Sequence, residues 1–129
     1  MLTLLPAVML ALSPAQDAAK RQDRIRDFVK AFFREDEKKL LTLSSGRLRS
    51  DLKAYFWIRR KVHGEKAVEP RAWNGEITIL RSARQKILET EGELVELDAE
   101  IFELTVDGKP YQCGLDEQDL AILFSDPPK

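Results

Sequence analysis

The spacing of apolar residues changes once along this chain, at Gly75, and that change limits what it can fold into. Before it, Ile25, Phe28, Val29, Phe32 and Phe33 recur at i, i+3, i+4, i+7 and i+8. This is one apolar stripe of an amphipathic helix and predicts helix over about residues 18–34. Asp36 is placed to cap a short second helix through Leu40, Leu41 and Leu43. Ser44 or Ser45 can cap a third, carrying Leu48, Leu52, Tyr55, Phe56 and Arg59 on one face. Residues 63–74, with Gly64, Pro70 and Asn74, read as an irregular connection.

After Gly75 the period becomes two. Ile77 and Ile79 alternate with polar residues, as do Val95, Leu97, Ala99 and Ile101. Phe102, Leu104 and Val106 then alternate in the opposite phase, which predicts a β-bulge between Ile101 and Phe102. Asp107-Gly108 is a strong hairpin signal. Pro110 opens the return strand, where a missing donor is tolerated, and Leu120, Ile122 and Phe124 form a last strand. Residues 82–104 also fit a helical spacing through Ile87, Leu94, Leu97, Ile101 and Leu104. Gly92 inside such a helix costs ~1 kcal/mol relative to Ala, so strand–turn–strand with Gly92 in the turn is the preferred reading. The fold class is therefore α+β: N-terminal helices packed on a curved antiparallel β-sheet.

Residues 1–15 differ from the rest. They hold none of the 43 charged side chains. The apolar run is signal-peptide length and too short for a bilayer span, which needs ~20 residues. Ser13 and Ala15 stand at −3 and −1 of a cleavage that leaves Gln16 as the new terminus. Pro6 and Pro14 disfavour a helix there. The expected organisation is a signal peptide over residues 1–15 and one α+β domain over residues 16–129, exported to the periplasm or medium.

With one cysteine and one histidine, no intrachain disulfide and no multi-imidazole metal site is available. Cys113 alternates with Tyr111 and Leu115 and reads as a buried strand residue. The six glycines form no GxGxxG or GxxxxGK phosphate loop. Eight basic residues lie between Arg47 and Arg71, and Arg59-Arg60-Lys61 follows Tyr55-Phe56-Trp57. Interleaved cations and rings can hold single-stranded nucleic acid. The overall charge of −1 favours a solvated helix face instead, so no nucleic-acid partner is expected. Residues 89–103 hold seven acids and no base. They lack the close Asp/Asn spacing of a calcium loop and read as a solvated strand face. No metal and no cofactor is expected. His63 is a candidate general base or a plain surface residue, and Trp73 a pocket aromatic or a packing anchor.

The run Phe28-Val29-Lys30-Ala31-Phe32-Phe33-Arg34-Glu35-Asp36, followed by Lys39-Leu40-Leu41 and Leu48, resembles the opening of the ketosteroid-isomerase/nuclear-transport-factor-like superfamily. That resemblance implies a cone in which a curved sheet wraps the helices around an apolar pocket. The superfamily includes isomerases, cyclases, dehydratases and proteins without catalysis, so the fold alone does not give a function. No position here matches the catalytic acids and tyrosines of its enzymes. No catalytic residue is assigned.

The expectation is a non-catalytic exported domain binding a small apolar ligand or a protein partner, with Tyr55, Trp73 and His63 as candidate ligand-binding residues. Two alternatives stay open: an isomerase/cyclase-type enzyme using a pocket carboxylate with Tyr55 or Tyr111, and a helical protein-interaction module built on residues 82–104. A homodimer is also left open.

Overall fold

The computed structural model describes residues 14–91 and 93–126. The expected signal peptide lies outside them, except for Pro14 and Ala15, which belong to the first helix. Three helices come first: α1 (Pro14–Arg34), α2 (Glu37–Leu43) and α3 (Gly46–His63), followed by a short 3-10 turn (Glu65–Val68). Four strands follow: β1 (Ile77–Glu91), β2 (Glu93–Val106), β3 (Lys109–Leu115) and β4 (Ala121–Ser125). They pair antiparallel in the order β1-β2-β3-β4. The fold is thus α+β, N-terminal helices on a curved antiparallel sheet, as the change of period at Gly75 predicts.

Local chemistry explains the boundaries. Asp36 caps α2, accepting a hydrogen bond from the Lys39 amide at 3.3 Å. Ser45 is the N-cap of α3, while Ser44 turns inward and donates from Oγ to the Leu40 carbonyl at 2.6 Å. Ser44 also bridges Ala121 in parallel, and the Ser45 amide donates to the Ala121 carbonyl at 2.9 Å. The α2–α3 corner is thereby tied to β4. Asp107 and Gly108 have φ of 52° and 82°, the left-handed pair that a tight I′ hairpin turn requires.

Two local expectations are corrected, and one alternative is excluded. His63 is the last residue of α3 rather than part of a loop, and residues 65–68 form the 3-10 turn. Residues 82–91 and 93–104 are strands, paired from Ser82↔Phe102 out to Glu91↔Glu93, which excludes the single-helix alternative. Gly92 itself lies outside the described residues. There is no bulge between Ile101 and Phe102: β2 pairs with β3 continuously through Ile101↔Gly114 and Phe102↔Cys113. The phase flip arises because both sheet faces carry apolar clusters. Phe102, Leu104 and Val106 face the helices; Ala99 and Ile101 join Ile122 on the other face, with Ile87, Leu97 and Leu123 beside them. The register shift of the β1–β2 ladder falls between Ile79 and Arg81, leaving Leu80 as the extra residue.

The main core is fed by one stripe of α1. Ile25, Phe28 and Val29 are fully buried, with Leu40, Phe56, Leu104, Cys113 and Leu115. Phe124 meets Phe28 edge-on at 5.6 Å and Phe32 at 4.8 Å, and Tyr111 stacks on Phe124 at 5.3 Å. These rings occupy the space between α1 and the sheet.

Candidate functional site

An apolar groove of about 440 Å³ lies among the three helices and is lined by Phe32, Phe33, Leu40, Leu48, Leu52 and Phe56, with Glu35, Asp51, Tyr55 and Arg71 at its polar positions. Its walls follow from the helix spacings. Phe32 and Phe33 flank the core stripe of α1, while Leu48, Leu52 and Phe56 repeat every four residues on α3. A volume of this order is normal for a small-molecule pocket, and so is an apolar wall with few polar groups.

Glu35 organises the rim. It follows the last residue of α1 with φ of 54°, so the chain leaves the helix in the left-handed region. Its side chain is only 17% exposed. Oε1 accepts from the Tyr55 hydroxyl at 3.0 Å and from the Arg59 guanidinium. Oε2 faces Arg71 Nε at 3.2 Å. Arg59 also donates to the Tyr55 oxygen at 3.0 Å. That hydrogen bond, with the charge of Glu35, holds the Arg59 guanidinium above its usual pKa.

The segment after α3 is strapped to the end of α1, which sets Arg71 at the rim. The Arg71 amide donates to the Arg34 carbonyl at 2.8 Å, and its Nε to the Phe33 carbonyl at 3.2 Å. Arg34 Nε donates in return to the Trp73 carbonyl at 3.0 Å. The Trp73 ring stacks on Phe33 at 4.9 Å.

Of the three residues singled out in the sequence, Tyr55 lines the groove. Trp73 stacks on Phe33 and is not a lining residue. His63 is exposed at the end of α3 and lines no part of the groove. Tyr111 is committed to the core stack on Phe124. Glu35, Arg59 and Arg71 are the rim residues that sequence reasoning did not bring together. A glutamate directly after a helix end is a weak signal, and nothing local marks Arg71 as its partner.

A second cavity, of about 390 Å³, is polar and lies between the start of α1 and the sheet, lined in part by Lys20, Arg21, Arg84, Asp98, Glu100 and Asp119. Its charges are largely matched internally: Arg21 Nε and Glu100 Oε1 form an ion pair at 2.6 Å, without hydrogen-bond alignment. Lys20 faces Asp119 at 3.9 Å. Among the described residues no group of three or more His, Cys, Asp or Glu is placed to hold a metal ion. No described helix is long and apolar enough to cross a membrane. No protein-family model, curated protein or solved structure matches the chain.

Proposed function

We propose that this chain is a non-catalytic binding protein with a cone-like fold of the ketosteroid-isomerase/nuclear-transport-factor-like kind, and that it takes a small apolar ligand in the inter-helical groove. The observation that carries this reading is the division of the groove into an apolar wall and a self-satisfied rim. The six wall residues offer a ligand no hydrogen bond from their side chains, so binding there draws on burial of apolar surface, ~25 cal/mol per Å². The order of three helices and four antiparallel strands supports the cone-like assignment.

A second reading, an isomerase/cyclase-type enzyme, is favoured by one contact, the Tyr55 hydroxyl on Glu35. Against it, both Glu35 oxygens already face cations: Arg59 at one and Arg71 at the other. A carboxylate so engaged is a strut for the rim rather than a free base.

The binding reading is tested by calorimetric titration with a series of straight-chain and aromatic alcohols. The expected result is saturable one-site binding whose affinity rises with apolar area, abolished in Leu48→Trp while circular dichroism stays native. Absence of binding by the wild type, or equal binding by the variant, overturns it. Turnover of a carbonyl-activated substrate that is lost in Glu35→Gln would support the enzyme instead.

We also propose export, on the strength of the uncharged residues 1–15. N-terminal sequencing of protein from its native host should find Gln16 first; Met1 retained on the mature protein overturns this.

A further inference from the structure

Two surfaces are left over once the core and the groove are accounted for. The first is a second apolar face of α3. Ala54, Trp57, Ile58 and Val62 sit at i, i+3, i+4 and i+8, so they share a face, and all four are exposed. Trp57 is 58% and Val62 67% exposed. Lys61 Nζ lies 5.5 Å from the Trp57 ring centroid. The helix carries six basic residues and one acidic. A surface helix normally has one apolar stripe; this one has a second, flanked by Lys53 and Lys61, while Arg59 and Arg60 are turned to Glu35, Glu37 and Glu65.

The second surface is a β-ribbon. β2 is paired to β3 only from Glu100 onward, so among the described residues 85–91 and 93–99 are paired with each other alone. They form a two-stranded arm about 25 Å long. An isolated two-stranded hairpin is marginal in water, and no other described strand pairs with either of its edges. Leu88 and Leu94 on this arm are 64% and 67% exposed, and Val95 is 46% exposed. The stretch from Arg84 to Ala99 holds five acidic residues and two basic ones.

We propose that the acidic, apolar arm of one protomer docks on the basic, apolar face of α3 of a second copy, reciprocally, as a closed homodimer. Charge complementarity selects the partner. A basic protein would cover the arm and leave the α3 face wet, and an acidic one would do the reverse. A second copy related by a two-fold axis covers both surfaces of both chains with two equivalent contacts. Opposite charges at the rims favour encounter and suppress arm-to-arm and helix-to-helix pairings. The apolar residues supply the burial. The surface is separate from the ligand groove, whose lining does not include Trp57, Ile58 or Val62.

Sedimentation equilibrium of the full chain tests this with two charge-reversal variants, Lys53→Glu/Lys61→Glu on α3 and Glu93→Lys/Glu96→Lys on the arm. The wild type should be a dimer that weakens in high salt, and each variant alone should dimerise about tenfold or more weakly. An equimolar mixture of the two should recover a one-to-one dimer, because each reversed surface then meets its opposite. Trp57→Ala should weaken the wild-type dimer without touching any charge. A monomeric wild type at all accessible concentrations, dimers unmoved by either variant, or a mixture that fails to recover would overturn the proposal. Open-ended polymers would overturn the closed reciprocal pair.

Discussion

Ile101 lies over Gly114, its ladder partner on β3: a Cβ built on Gly114 would come 2.6 Å from Ile101 Cδ1. Glycine at this strand position provides room for the isoleucine rather than a turn. Gly114→Ala should therefore destabilise the protein by overpacking, typically ~1–3 kcal/mol. Ile101→Val removes the offending methyl, so the double variant should be less destabilised than the sum of the singles. Urea denaturation of the four-member cycle reads the coupling. Additive effects would mean that the two side chains do not compete for this space.

Phe28 and Lys30 are two residues apart on α1, one fully buried and one exposed. Phe28→Ala should cost ~3–5 kcal/mol through lost transfer energy and a cavity beneath Phe124. Lys30→Ala should change stability by less than ~0.5 kcal/mol. Phe32, only partly buried, should fall between them. Denaturation midpoints that shift equally for Phe28→Ala and Lys30→Ala would contradict the docking of α1 on the sheet.

Glu35 combines two opposing contributions: a left-handed backbone that disfavours a Cβ, and a carboxylate that binds Tyr55, Arg59 and Arg71. Replacing it by alanine loses the rim contacts and keeps the strain; replacing it by glycine loses the contacts and relieves the strain. Glu35→Gly should therefore be more stable than Glu35→Ala by ~1 kcal/mol. Thermal unfolding of the pair checks the order, and a more stable alanine variant would argue against the φ of 54°.

Cys113 is fully buried, and burial pushes its thiol well above the usual range. The thiolate is the nucleophile, so the native protein should be inert to Ellman's reagent at neutral pH. Modification should appear only as fast as the protein opens, rising with denaturant in parallel with unfolding. Immediate stoichiometric reaction of the folded protein would contradict the burial.

Much of this architecture was legible in the sequence, because helix and strand periods are properties of consecutive residues. The stripe Ile25, Phe28, Val29 is the fully buried side of α1, and Asp36, Asp107-Gly108 and Cys113 behave as their local context implies. The succession of three helices and then antiparallel strands followed from the change of period at Gly75. Residues 82–104 were ambiguous for a physical reason: their Glu, Leu and Ala content favours helix, and pairing with a neighbouring strand overrides such preferences.

What tertiary structure alone decided lies where residues far apart in sequence meet. The flip between Ile101 and Phe102 resembles a bulge in one strand, yet it records apolar clusters on the two faces of the sheet. The register shift itself sits on β1 at Leu80, because register belongs to a pair of strands and cannot be read from one. The groove depends in the same way on long-range closure. Glu35 meets Tyr55, Arg59 and Arg71 only after α3 is brought to the end of α1 and residues 71–73 are strapped there. Local periodicity set which face of each element sought burial; packing those faces against one another decided which polar groups met at the rim.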